Sequence, residues 1–252
     1  PTVPVKLIVI SPEHDDSREH AVLEDLFAAG LERYHVRKPS WSREQLEAWL
    51  RALPREWRAR LVLHSHHELV GELGLGGVHF RDEVGRVVPN PPPQDPFAPV
   101  GRRVGDNAPY RSRSCHDLAT LRAALGRCDA VFFAPVFPSL SKPGRAPAAD
   151  FPFAALAAVL ATRTDDERRT SVLALGGITS ETAPRALALG FDGVAALGAI
   201  WQAADPARAF AELRSALGGD GRPARPSATN QASESTGQTR GPRVAISSTD
   251  AA

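Results

Sequence analysis

Arg113-Ser114-Cys115-His116 closes a β-type run in mid-chain, and Gly176-Gly177-Ile178 closes a later one. An imidazole changes charge near neutrality, which suits His116 to moving a proton on a bound heterocycle. Glycines at a helix start let backbone N–H groups close on an anion at the positive end of the helix dipole. Gly176 and Gly177, with Leu197 and Gly198 at the next such point, therefore form a candidate phosphate cradle. An acid/base histidine facing a cradle of this kind is the layout of an enzyme acting on a small phosphorylated molecule. The same glycines also fit plain tight turns, and His116 also fits a helix cap or a packed core histidine.

Other polar residues fall at comparable points. Arg37 and Lys38 end the run that begins at Arg33, where a guanidinium can clamp a carboxylate or phosphate with two hydrogen bonds. They fit surface charges equally well. Ser139-Leu140-Ser141-Lys142-Pro143-Gly144 follows the apolar run Val131–Phe133. Ser139, Ser141 and Lys142 offer two hydroxyls and an ammonium to an anion, or else form an exposed polar loop. His64, His66 and His67 invite a metal reading, but on an extended chain His67 points away from the other two. No partner with zinc spacing accompanies them, so no metal is expected there. Cys115 beside His116 is a nucleophile–base pair in sequence only, and no covalent cysteine chemistry is expected.

The elements that must position these residues alternate. β-type runs begin at Val5, Arg33, Arg60, Gly77, Tyr110, Asp129, Ser171 and Asp192. Amphipathic stretches lie between them at 19–29, 43–53, 116–125, 151–161, 181–188 and 206–217. Eight strands alternating with helices predict a small (β/α)₈ TIM barrel, with a doubly wound open sheet as the alternative. The fourth helix is expected to be eroded, because residues 81–109 carry prolines 89, 91, 92, 93, 96, 99 and 109. In a barrel, chemistry sits where strands end. All the histidines except His14 and His20 then fall on one ring, which also holds Arg37, Arg81 and the glycines. His35 and His64 join Arg37, Lys38, Ser114 and the 139–142 loop as candidate substrate contacts.

A net charge of +1 gives no footprint for nucleic acid or an anionic membrane. Two cysteines without metal spacing point to a reducing compartment. No apolar run approaches the ~18 residues of a membrane span, and Pro1-Thr2-Val3-Pro4 does not begin a secretory signal. The cytoplasm is the expected location. Residues 1–218 read as the barrel domain. Residues 219–252 have few large apolar side chains and read as a disordered tail, because such a segment buries too little surface to offset its ordering entropy.

From about Lys6 to Leu217 the chain resembles the thiamine phosphate synthase and thiazole tautomerase (TenI-like) superfamily. The resemblance rests on His35-Val36-Arg37, the Leu63–Leu69 and Ala134–Gly144 segments, Gly77-Val78-His79, Arg113–His116, Leu175–Ile178 and Asp192–Ile200. In the synthase branch, Mg²⁺ bridges the pyrophosphate of a pyrimidine that couples to thiazole phosphate. That branch shows Gln-x-Arg-x-Lys on the second strand, Asn-Asp-Arg on the third and Thr-x-Thr-Lys on the sixth loop. The corresponding segments here read His35-Val36-Arg37-Lys38-Pro39, His64-Ser65-His66 and Ser139-Leu140-Ser141-Lys142. The third-strand aspartate that binds the metal is absent; the branch's other carboxylate, in the loop after Gly-Val-His, is matched by Asp82 or Glu83, for an ion that demands oxygen ligands.

The tautomerase branch needs no metal, and its catalytic histidine lies in Arg-Ser-x-His, matching His116. The resemblance therefore implies first a thiazole tautomerase without cofactor, with Gly177 and Gly198 on the phosphate and Arg37 on the carboxylate. It implies second a Mg²⁺-dependent synthase with altered ligands, and third a catalytically silent barrel that binds a phosphorylated ligand. Thiazole phosphate, and in the second case an aminopyrimidine pyrophosphate, are the expected small-molecule partners. The resemblance also allows a homodimer, and no stretch of the sequence marks its interface.

Overall fold

Apolar runs such as Leu61–Leu63 and Ala130–Phe133 have no polar face, which marks strands buried on both sides. A computed structural model describes residues 5–81, 109–139, 144 and 146–218. Its strands are β1 (Lys6–Ile10), β2 (Tyr34–Val36), β3 (Leu61–Leu63), β4 (Gly77–Phe80), β5 (Tyr110–Cys115), β6 (Ala130–Phe133), β7 (Ser171–Leu175) and β8 (Gly193–Ala196). Each pairs in parallel with the next, and β8 returns to β1 to close an eight-stranded barrel. The expected fold is therefore present, and the open sheet is excluded.

The helices are α1 (Glu19–Ala28), α2 (Arg43–Ala52), α3 (Glu68–Leu73), α4 (Leu118–Ala124), α5 (Phe153–Ala161), α6 (Ala183–Ala188), α7 (Gly198–Trp201) and α8 (Pro206–Ala216). Side chains start several of them. Ser42 and Gln45 form a reciprocal capping box on α2, while Asp117 and Asp205 accept backbone N–H bonds at the starts of α4 and α8. Helices α3 and α7 were not among the amphipathic stretches expected. Residues 82–108, where the eroded helix was expected, and the tail from 219 lie outside the described residues. No described helix is long and apolar enough to cross a membrane.

Strand side chains alternate between two cores. Outward residues such as Val9, Val36, Val131 and Val194 pack against the helices. Inward residues Ile8, Ile10, Ala130, Phe132, Leu173 and Ala195 fill the barrel on the β6–β7–β8–β1 side. The opposite side is filled differently. His35, His79 and Ser112, all fully buried, point inward from β2, β4 and β5, and the register pairs His79 with Ser112. Half the barrel interior is thus apolar and half is a hydrogen-bonding cluster.

Candidate active site

A cavity of about 280 Å³ opens at the ends of the strands, floored by Ile10, Phe132 and Ala195. Arg37, His64, Ser114 and His116 reach it from the β2, β3 and β5 ends, and Ser139 reaches it from the loop after β6. Gly176 and Gly177 after β7, with Leu197 and Gly198 after β8, line the remaining wall. The structure thus brings together residues more than 150 positions apart in sequence, as the ring of strand ends requires.

His116 stands just past β5, and its Nδ1 lies 2.6 Å from the carbonyl oxygen of Ala134. A carbonyl only accepts, so Nδ1 carries the proton and donates it. The neutral ring then has its lone pair on Nε2. Fixing the tautomer in this way is what a general base needs before substrate arrives. The neighbouring Cys115 is fully buried in the layer between strands and helices, so the two side chains serve different spaces.

The glycine wall has a steric cause. Gly177 holds a φ of +62°, and a Cβ there would stand 2.3 Å from the carbonyl oxygen of Pro138. Gly176 has a φ of +96° and backs onto Pro135. The β6 and β7 loops are therefore pressed together, and Phe137 N–H donates to the Gly176 carbonyl at 3.1 Å. Gly198 begins α7, whose Trp201 Nε1 donates to the Ile10 carbonyl at 2.8 Å and ties that turn to β1. The first N–H groups of a helix lack carbonyl partners within it, so this wall presents backbone donors.

Two candidates stand elsewhere. Lys38 does not reach the cavity: it is buried, donates to Glu19 Oε2 at 2.6 Å and to the His14 carbonyl at 3.1 Å, and lies 4.9 Å from the Trp41 ring. Tyr34 donates to the same carboxylate at 2.6 Å. Even so, burial raises the Glu19 carboxyl pKa, and the bonds from Lys38 and Tyr34 only partly oppose it. His35 lies beneath the cavity wall, with its Nδ1 3.1 Å from His64 Nε2. Ser141 and Lys142 fall outside the described residues.

Glu13 and Arg81 also line the cavity. Arg81 continues the inward parity of His79, a signal available in the sequence. Glu13 sits in the loop after β1, where no periodicity marks it, and it is ion-paired to Arg37. It is the single carboxylate among the described residues of the lining. The remaining polar groups are imidazole, guanidinium and hydroxyl. The described part of the lining thus offers Mg²⁺, which takes oxygen ligands, a single carboxylate, and Ser65 stands in the segment that matches the family's aspartate. Asp82 and Glu83 lie outside the described residues.

His64, His66 and His67 do not share a site. His64 faces the cavity, His66 contacts the Trp41 carbonyl at 3.3 Å, and His67 packs edge-on against Phe80.

The sequence matches the family described as Thiamine monophosphate synthase over residues 7–200. It is 33% identical over 209 residues to a thiamine-phosphate synthase of Bordetella avium, covering 80% of this chain and 90% of that one. The thiamine-phosphate synthase of Chromobacterium violaceum is 32% identical, covering 82% and 93%. The fold is shared with the thiamine phosphate pyrophosphorylase of Pyrococcus furiosus, at a TM-score of 0.60 and 21% identity over 84% of this chain and 95% of that one.

Proposed function

The chain belongs to the thiamine monophosphate synthase family, and from that premise we propose that it works on thiazole phosphate and moves a proton on it with His116. The observation that carries this reading is the 2.6 Å bond from His116 Nδ1 to the Ala134 carbonyl, which leaves Nε2 free to accept. In the reaction, His116 Nε2 takes a proton from the ring carbon of the thiazole carboxylate tautomer. The electron pair moves into the ring, the exocyclic double bond shifts inward, and the imidazolium returns the proton to the exocyclic carbon, so the ring becomes aromatic without a leaving group or redox change. General acid/base catalysis of this kind contributes ~10²–10⁴-fold. Arg37, oriented by Glu13, meets the substrate carboxylate, and the Gly177 and Gly198 wall takes the phosphate.

A second reading is the coupling of a pyrimidine pyrophosphate to thiazole phosphate. The curated relatives favour it, since they carry the name thiamine-phosphate synthase across 80–82% of this chain. Among the described residues the lining supplies one carboxylate, Glu13, to a magnesium-centred version of that step, while Asp82 and Glu83 lie outside them. The family premise covers both chemistries, and in either case the chain is an enzyme of thiamine biosynthesis.

One experiment separates them. The thiazole carboxylate phosphate tautomer is followed by NMR with wild type and with His116→Ala. A second arm supplies thiazole phosphate, the pyrimidine pyrophosphate and Mg²⁺. Aromatisation by wild type that drops at least 100-fold in the variant is the expected result. Wild type that fails to exceed the uncatalysed rate, yet forms thiamine phosphate in the second arm, would establish the coupling enzyme instead.

A further inference from the structure

Three histidines that the proton transfer does not use meet at one point inside the barrel. His35 points inward from β2, His79 from β4, and His64 follows β3 between them. One ring nitrogen from each lies within 4.8 Å of the other two. His35 Nδ1 and His64 Nε2 are 3.1 Å apart, while the His64 and His79 rings stack at 4.0 Å. In a tetrahedral site with metal–nitrogen bonds of ~2.0–2.1 Å, ligand nitrogens stand about 3.3 Å apart. The His35–His64 pair is at that spacing through a hydrogen bond that a metal would replace, and the parallel His64 and His79 rings must turn out of their stack for both lone pairs to meet one ion.

We propose that His35, His64 and His79 form a site for a borderline, nitrogen-preferring divalent metal of the Zn²⁺ class beneath the cavity. His35 meets His64 through Nδ1, so its Nε2 is the outer nitrogen, buried without a hydrogen-bond partner. His79 keeps outer partners at both nitrogens, Ser112 Oγ and Ser114 Oγ at 2.9 Å each. One of these hydroxyls holds the ring while the other nitrogen turns to the metal, the usual second partner of a ligating imidazole. Burial is the first cause holding all three imidazoles below the ordinary histidine range, His79 at about 3, so no proton competes with the metal near neutrality. His64 alone of the three lines the cavity, so the cluster meets the cavity at that residue. Three imidazoles without a carboxylate leave the bound ion doubly charged, suited to an anionic oxygen from the cavity. Oxygen-demanding Mg²⁺ gains nothing from such a donor set.

The test uses the full chain stripped with chelator, then titrated with Zn²⁺ by calorimetry and with Co²⁺ by visible absorption. We expect one equivalent to bind and the zinc X-ray absorption spectrum of wild type to show three imidazole nitrogens. His64→Gln and His35→Asn should each weaken binding at least 100-fold, beyond the ~10–100-fold that loss of an outer partner costs. His66→Gln should leave binding unchanged. A wild type that binds no stoichiometric metal, or a zinc shell without three imidazoles, overturns the site. So does an affinity lost in His66→Gln but kept in His64→Gln. The wild-type spectrum decides even where a buried variant does not fold. Because each readout is binding, the site and the proton-transfer reading can fail separately.

Discussion

Adjacent residues on one strand can have opposite fates, and Arg37 and Lys38 do. Along β2 and its extension the chain alternates, so Tyr34, Val36 and Lys38 turn toward the helices while His35 and Arg37 turn inward. Glu19 on α1 receives both Tyr34 and Lys38. Removing one partner of a buried ion pair strands the other charge. Lys38→Met should therefore lower stability by about 3 kcal/mol, read from urea unfolding at pH 7. The folded variant should keep its KM for the thiazole substrate within twofold. A tenfold rise in KM at unchanged stability would instead put Lys38 on the substrate. The sequence displayed both cations, and its period of two separated them. What it could not display was Glu13, whose pairing with Arg37 depends on a loop path that no local pattern encodes.

At the scale of elements, the eight strands were legible because a parallel barrel buries both faces and leaves apolar runs that stand out from the helices. Helices α3 and α7, of six and four residues, are too short to repeat an apolar stripe, and tertiary contacts form them rather than local pattern. The glycine pair was legible as a turn, but its cause was not, since the pressing atom belongs to Pro138 on another loop. A comparison isolates that contact. Gly74 at the end of α3 has a φ of +66°, close to the +62° of Gly177, yet a Cβ at Gly74 meets nothing within 4 Å. Gly74→Ala should cost roughly 1–2 kcal/mol, the backbone strain alone. Gly177→Ala should cost about 2 kcal/mol more, read from urea midpoints at constant slope, because Pro138 and Phe137 must move. Equal costs would mean that the two loops separate freely and that the wall after β7 is not a rigid one.

For the whole molecule, closing the barrel makes its interior a shared resource, and the sequence divides it between apolar packing and histidines. A closed barrel has no sheet edge, so inward residues have nowhere else to go. His35 and His79 therefore stay neutral inside the fold, with His64 beside them, and burial is the first cause in each case. Linkage turns this into a property of the entire chain. In the unfolded state each histidine takes a proton as the pH falls through about 6.5. The folded state refuses those protons, so below that pH the unfolded chain binds more, and stability must fall with acidity. Each withheld proton is worth about 1.4 kcal/mol per pH unit, so His79 supplies that slope, and His35, His64 and the partly buried His67 add to it in the same direction. The effect is absent above neutrality, sets in as the pH drops through about 6.5, and for His79 persists down to its folded value of about 3. Carboxylates held low by hydrogen bonds, such as Asp16 and Asp117, add their own loss only at lower pH. Urea unfolding of the metal-free chain at pH 8, 7, 6 and 5 should accordingly give nearly constant stability between pH 8 and 7 and a steep decline below. His79→Gln should reduce that slope by about 1.4 kcal/mol per pH unit, because one withheld proton is gone. A stability that stays level from pH 7 to 5 would mean that the imidazoles take up protons in place. Packing against Phe132, whose ring lies 4.7 Å from those of both His35 and His79, would then not suffice to keep these imidazoles neutral.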